Sequence, residues 1–351
     1  MQIGIHGYDP QDAALVADLG VQWTKYGASN IEDRDVGNID RVVDGALAAG
    51  LNVVLDLRTA AEGLHNAVCE WRGDNLDDAV KAHIARVAEG AAWCVEQYGD
   101  RVHDWEFWGE FACPYVSQLG GAGWSDAYHH WLQQVHGAIK SVDGNARVWN
   151  GGYGTDADTK FVAAMVDNGA GDSFDACNLH HYLMSRLWPE APDGRTRTDL
   201  TLDEQIEWTV GLYDTMFAEL RAILCDHPKP FVSTEWGCPI ARLTKAAEHF
   251  ARVEGLTSHV FQGQIHAPFD DRSAALYRAW LDCFERNGMQ VLIVHTLRDE
   301  GATKGPGGLH WGRFCGLRFR NDEPKGCWDV VREYAWRGRA TPVDWGAPAW
   351  T

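Results

Sequence analysis

Short apolar runs recur along the chain, and each is followed by a stretch in which apolar positions return every three or four residues. The runs at 3–6, 22–26, 52–57, 102–108, 146–150, 176–181, 230–234 and 290–296 read as eight strands. Between them 11–19, 39–49, 76–97, 127–142, 159–168, 202–224 and 274–287 read as helices. The stretch 202–224 is the clearest: Ile206, Val210, Tyr213, Phe217, Leu220 and Leu224 line one face, which predicts packing on a sheet. Asn38, Asp126 and Thr201 stand where N-caps belong, and Gly20, Gly50, Gly169 and Gly288 stand just past helix ends. Strand and helix alternate without a linker or a shift in composition. This predicts an α/β protein with a single (β/α)8 TIM barrel over residues 1–340, and 341–351 as a C-terminal tail. The surplus length falls at 59–75, 111–125, 183–200, 236–271 and 299–314, always after a strand. Those loops belong to the barrel face that carries active sites.

Composition narrows the function. The 351 residues are 45% hydrophobic and 23% charged, in keeping with a large globular core. Fifty acidic residues against 31 basic ones give a formal charge of −19, which repels phosphate backbones and acidic lipid heads, so neither nucleic acid nor a membrane surface is an expected partner. No apolar run reaches the roughly 18 residues of a membrane span, and the start of the chain has no signal-peptide pattern. Nine cysteines form no CxxC pair, which suits reduced thiols and a cytoplasmic location. Seventeen tryptophans are unusual. They serve either a large core or the stacking of sugar rings.

Two glutamates directly follow apolar runs: Glu110 in Trp105-Glu-Phe-Trp-Gly-Glu110 and Glu235 in Pro230-Phe-Val-Ser-Thr-Glu235-Trp-Gly. A carboxylate at a strand end in a barrel mouth is partly desolvated and aimed at the central cavity, so two from opposite walls can flank one bond. Here the sequence resembles the clan A glycoside hydrolases, the retaining barrel glycosidases that include cellulases and β-xylosidases. Four segments carry the resemblance, in order. The Glu110 segment is similar to the fourth-strand pattern W-E-x-W-N-E, and the Glu235 segment to the seventh-strand pattern. Asn178-Leu-His-His-Tyr182 is similar to the sixth-strand ending, and Gly316-Leu317 followed by Pro324-Lys325 to the closing segment before the last helix.

The resemblance implies a retaining hydrolase of β-linked oligosaccharide or polysaccharide that needs no cofactor and no metal, with Glu110 as acid/base and Glu235 as nucleophile. Their carboxyls would then lie about 5–5.5 Å apart. Tyr182 becomes the natural donor to Glu235. His180, on the same strand face, is either a contact to substrate or Glu110, or a satisfied core imidazole. Asn150, His295, Arg298 and the loop tryptophans Trp188, Trp236 and Trp311 are candidate sugar contacts. Glu106 shares parity with Glu110 and needs a cation, for which Lys25 and Arg58 are placed.

One departure stands out: the clan has Asn immediately before its acid/base, where this chain has Gly109, and the usual following Pro is Phe111. The clan's Asn donates to the sugar 2-hydroxyl, so that task passes to Asn150 or His180, or is lost. Two rival readings follow. One is a carbohydrate-binding barrel without turnover. The other is a metal-dependent sugar isomerase or hydrolase with Glu106, Glu110, His180 and Glu235 as ligands, although no HxH, HExxH or CxxC spacing supports it. The sequence leaves the oligomeric state open.

Overall fold

The computed structural model describes residues 1–59, 78–109, 123–152, 158–182, 200–238, 270–299, 315–319 and 322–346. Among these, eight strands alternate with eight α-helices: β1 Gln2–His6, α1 Ala13–Leu19, β2 Trp23–Ala28, α2 Ile39–Ala48, β3 Asn52–Leu57, α3 Asp78–Tyr98, β4 Asp104–Phe107, α4 Gly123–Val142, β5 Arg147–Asn150, α5 Asp158–Asp167, β6 Cys177–Tyr182, α6 Leu202–Ile223, β7 Phe231–Gly237, α7 Asp270–Arg286, β8 Met289–Val294 and α8 Trp328–Gly338. The strands pair in parallel in the order β5-β4-β3-β2-β1-β8-β7-β6. Across the remaining seam a parallel bridge joins Trp149 to Ala176, and Asp175 N–H donates to Val148 O at 2.6 Å. The architecture is a single (β/α)8 barrel.

Local chemistry explains the element ends. Thr201 opens α6 with a capping box: its hydroxyl accepts from the Glu204 N–H at 3.3 Å, while the Glu204 carboxylate accepts from the Thr201 N–H at 2.8 Å. Gly20, Gly50, Gly169 and Gly288 all have positive φ, the conformation a helix C-terminus favours. Asn38 occupies its N-cap position without a side-chain bond. The expectation for Asp126 is corrected, because α4 begins at Gly123 and Asp126 lies inside it. The last helix, α8, buries Trp328, Val330, Val331 and Tyr334. Its periodicity is diluted by Asp329, Arg332, Glu333 and Arg337, and so escaped the strand-helix reading.

Strand alternation builds two cores. Outward residues such as Ile3, Ile5, Leu55, Leu57, Trp105 and Phe107 pack with the helices in one large cluster. Inside the barrel, Trp23, Val54, Trp149, Ala176, Val232, Val291 and Ile293 form a separate apolar plug, closed from beneath by Val343 and Trp345. Above that plug the interior turns polar, and this step positions the site. Among the described residues no helix is long and apolar enough to cross a membrane. Of the loops read after the strands, nearly all lie outside the described residues.

Candidate active site

The inward positions one step above the plug are Lys25 on β2, Asp56 on β3, Glu106 on β4, His180 on β6 and Thr234 with Glu235 on β7, all buried. A lysine that no water reaches must be neutralised within the protein, and three carboxylates do so. Lys25 Nζ lies 2.9 Å from Glu106 Oε2, 3.0 Å from Glu235 Oε1 and 3.4 Å from Asp56 Oδ2. Arg58, at the rim, pairs with Asp56, its Nε donating at 2.6 Å. Of the two cations anticipated for Glu106, Lys25 is the partner, and Arg58 serves Asp56. Burial alone would lower the Lys25 ammonium and raise the Asp56 carboxyl. The mutual attraction outweighs this, raising Lys25 and lowering Asp56.

Glu235 reaches this cluster through an irregularity in β7. Asn178 of β6 pairs with Val232, yet His180 pairs with Glu235, so three steps on β7 oppose two on β6. Such a bulge re-aims a side chain, and here both Thr234 and the adjacent Glu235 turn inward. Burial would raise the Glu235 carboxyl, but Lys25, with His180, His6 and His295 around it, holds it well below the usual carboxylate range. Glu235 is 7% exposed. A carboxylate kept ionised and desolvated at a barrel mouth is equipped to attack an electrophilic carbon.

The bulge also sends Trp236 outward. Its indole is fully buried between β7 and the helices, donates to Tyr213 OH at 3.1 Å and packs on Tyr277, Trp280 and Phe284. The expectation that Trp236 stacks on sugar is therefore corrected: it is a core residue. Asn150 is likewise placed away from substrate. Its amide donates to Asn178 O and Gly151 O, each at 3.1 Å, and its oxygen accepts from Asn178 N–H at 2.8 Å. With no exposed surface, it holds β5 to β6 where the strand ladder is thin.

His180 is fully buried, with Nε2 3.1 Å from Glu106 Oε1 and 2.7 Å from Thr234 Oγ1, and Nδ1 3.8 Å from Glu235 Oε2. It braces the glutamates from behind. His295 stacks on His6 with ring centroids 5.3 Å apart, and His6 Nε2 lies 4.0 Å from Glu235 Oε1, so both imidazoles belong to the mouth. Burial pushes the His6 imidazole down to about 3, which leaves it neutral. Arg298 is tied to Asp12 at 2.6 Å and to Asp322, on the rim of the β8 end. Tyr182 ends β6 opposite Gly237, its side chain outside the described residues. Glu110, Trp188 and Trp311 also lie outside them.

The backbone before Glu110 is defined, and it explains Gly109. Trp108 adopts a left-handed φ of 52° and stacks on Trp131 at 4.9 Å, which turns the chain so that Gly109 N–H donates to Asp56 Oδ1 at 2.9 Å. A Cβ on Gly109 would lie 2.6 Å from Glu106 Oε1, 2.9 Å from Asp56 Oδ2 and 3.0 Å from Lys25 Nζ. The charge cluster fills the space that a side chain there would need.

Asp56, Asn178, Thr234 and His6 were not singled out from the sequence. The available signal was a polar residue at inward parity within an apolar strand, as in Val54-Leu-Asp56. The closing segment folds as a latch on the β8 end: Asp299 accepts from Lys325 Nζ at 2.7 Å and from Gly316 N–H at 3.0 Å.

No protein-family model and no curated protein sequence matches the chain. Solved structures do. A family 39 glycoside hydrolase from the gut symbiont Bacteroides cellulosilyticus WH2 matches 95% of this chain and 63% of its own length, at 16% identity and a TM-score of 0.57. A β-glucuronidase from an uncultured Clostridium sp. matches 96% of this chain and 50% of its own, at 14% identity and 0.60. The exo-β-1,4-mannosidase Op5Man5 from Opitutaceae bacterium strain TAV5 matches 97% and 59%, at 15% identity and 0.61. The chain thus spans between half and two thirds of the length of these structures. Eight parallel strands, a polar mouth over an apolar plug and these likenesses together give the chain a (β/α)8-barrel fold, the fold it shares with these structures.

Proposed function

We propose that the protein is a retaining glycoside hydrolase acting on β-linked carbohydrate, with Glu235 as nucleophile and Glu110 as acid/base. The observation that carries this is the Glu235 carboxylate, turned into the mouth by the β7 bulge and kept ionised by Lys25. The glycoside hydrolases among the structural neighbours support the same reaction class. In the first half-reaction Glu110 protonates the leaving oxygen while Glu235 attacks the anomeric carbon, giving a glycosyl ester. In the second, Glu110 takes a proton from water as that water displaces Glu235. Lys25 and His180 position the nucleophile. The reading requires the two carboxyls to lie about 5–5.5 Å apart.

The test is a panel of aryl β-glycosides and polysaccharides with the intact chain, then Glu235→Gln. Loss of turnover by at least about 10³-fold, together with a covalent adduct on Glu235 from a slow 2-fluoro glycosyl substrate, is the expected result. Undiminished turnover in Glu235→Gln would overturn it. Gly109 favours a second reading, binding without turnover, since the filled space leaves no side-chain donor at that position. Saturable sugar binding with no hydrolysis across the whole panel would select it.

A further inference from the structure

The strand N-terminal end of the barrel, opposite the mouth, holds a cavity of about 480 Å³ beneath β5, β6 and β7. It is lined by Lys140 near the end of α4, Asn145 before β5, Arg147 at its start, Asp175 before β6, Lys229 before β7 and Trp345 of the tail. On a chain of net charge −19, three cations line this pocket, two of them paired with carboxylates and the third, Lys229, not.

The charges differ in how they are satisfied. Arg147 makes a two-pronged pair with Asp104, both contacts at 2.6 Å, and its guanidinium lies 4.4 Å from the Trp345 ring centroid. The fork is thereby fixed with part of its donor edge uncommitted. Lys140 Nζ lies 2.8 Å from Asp175 Oδ2 and donates to Ala146 O at 2.6 Å, and the same Asp175 oxygen accepts from Val148 N–H at 2.8 Å. Lys229 has no ion-pair partner among the described residues. Its ammonium lies 5.5 Å from the Phe174 ring centroid, and burial lowers it, against the longer-range attraction of Asp175 and Asp172 and with a smaller push from Lys140. A half-buried lysine that makes no direct ion pair, facing a cavity shared with two fixed cations, is an arrangement that a bound anion stabilises.

We propose that this cavity is an anion-binding site for a small oxyanion metabolite bearing a phosphate or carboxylate group, held by Lys229, Lys140 and Arg147, with Asn145 available to its neutral part. The volume lies within the range of small-molecule pockets and exceeds what a bare inorganic ion fills. The site stands on the opposite end of the barrel from Glu235, so it is independent of the reaction proposed above. Because Trp345 both walls the cavity and touches Trp23 and Trp149 of the inner plug, a bound anion would also fasten the tail to the barrel.

The experiment titrates the intact chain with inorganic phosphate and, separately, citrate at constant ionic strength, following thermal unfolding and tryptophan fluorescence. Saturable stabilisation by at least one of them is expected, with phosphate alone marking a phosphoryl ligand and citrate alone a carboxylate. Lys229→Met and Lys140→Met should each weaken the apparent affinity at least about tenfold, while Arg58→Met at the mouth leaves it unchanged. Lys229→Gln, which keeps a polar end, guards against a packing defect. The proposal is overturned if neither anion saturates, if Lys229→Met and Lys229→Gln bind like the parent chain, or if Arg58→Met abolishes the effect.

Discussion

Replacing Lys25 by Met removes the ammonium and keeps most of the side-chain volume, so the perturbation is electrostatic. At about 3 Å and an effective dielectric near 20, each carboxylate attracts the ammonium by about 5 kcal/mol. Three such contacts, at 2.9, 3.0 and 3.4 Å, outweigh the several kcal/mol of desolvating one ammonium. Loss of the cation leaves Asp56, Glu106 and Glu235 crowded with Arg58 as the remaining counter-charge, and the expected destabilisation near neutral pH is at least about 3–5 kcal/mol. The sign with pH is specific. In the parent chain Asp56 and Glu235 have depressed pKa values, so their contribution is present above the unfolded carboxylate range, about 4, and fades as pH falls toward the folded values. In Lys25→Met the crowded Asp56 and Glu235 carboxyls rise above that range, the native state binds extra protons, and stability increases as pH falls from about 7 to about 5. The gap between the two proteins therefore narrows in acid. Urea unfolding followed by tryptophan fluorescence at about pH 7.5 and about pH 5 measures it. A loss below about 1 kcal/mol at neutral pH, or a gap that widens in acid, would refute the reasoning.

Gly109→Asn is expected to destabilise the chain by about 1–3 kcal/mol and to lower turnover, since its Cβ would press on Glu106, Asp56 and Lys25; unfolding curves and kcat on any active aryl glycoside check this. Trp236→Ala should cost about 3–5 kcal/mol of stability while leaving sugar affinity unchanged, measured by denaturation and by titration of a bound oligosaccharide. Burial raises Asp299 to about 6 in spite of Lys325, so as pH falls from about 6 to about 4 this group adds stability, the reverse of Glu235. Lys325→Met should move that Asp299 midpoint above 6, read from the carboxyl resonance in an NMR titration.

Eight strands and seven of the eight helices were legible in the sequence, because a strand buried on both faces and a one-faced helix leave local periodic marks, and because Thr201 and Gly20, Gly50, Gly169 and Gly288 mark ends through their own backbone chemistry. The sequence also marked Glu235 by its place at the end of an apolar run, and Glu106 by the parity that required a cation. Relations between strands distant along the chain became visible only once the barrel had closed. Lys25 and Glu235 are 210 residues apart, and nothing local to either states that they lie 3.0 Å from each other. The β7 bulge is a mismatch of register with β6, a property of two strands together, so neither the inward turn of Glu235 nor the outward one of Trp236 was legible in the segment that carries both. Asn150 looked like a sugar contact because a strand-end amide is free until its neighbour is known, and Asn178 is that neighbour. Gly109 looked like a missing donor in one dimension. In three dimensions it is the close approach that lets a lysine and three carboxylates close the floor of the mouth.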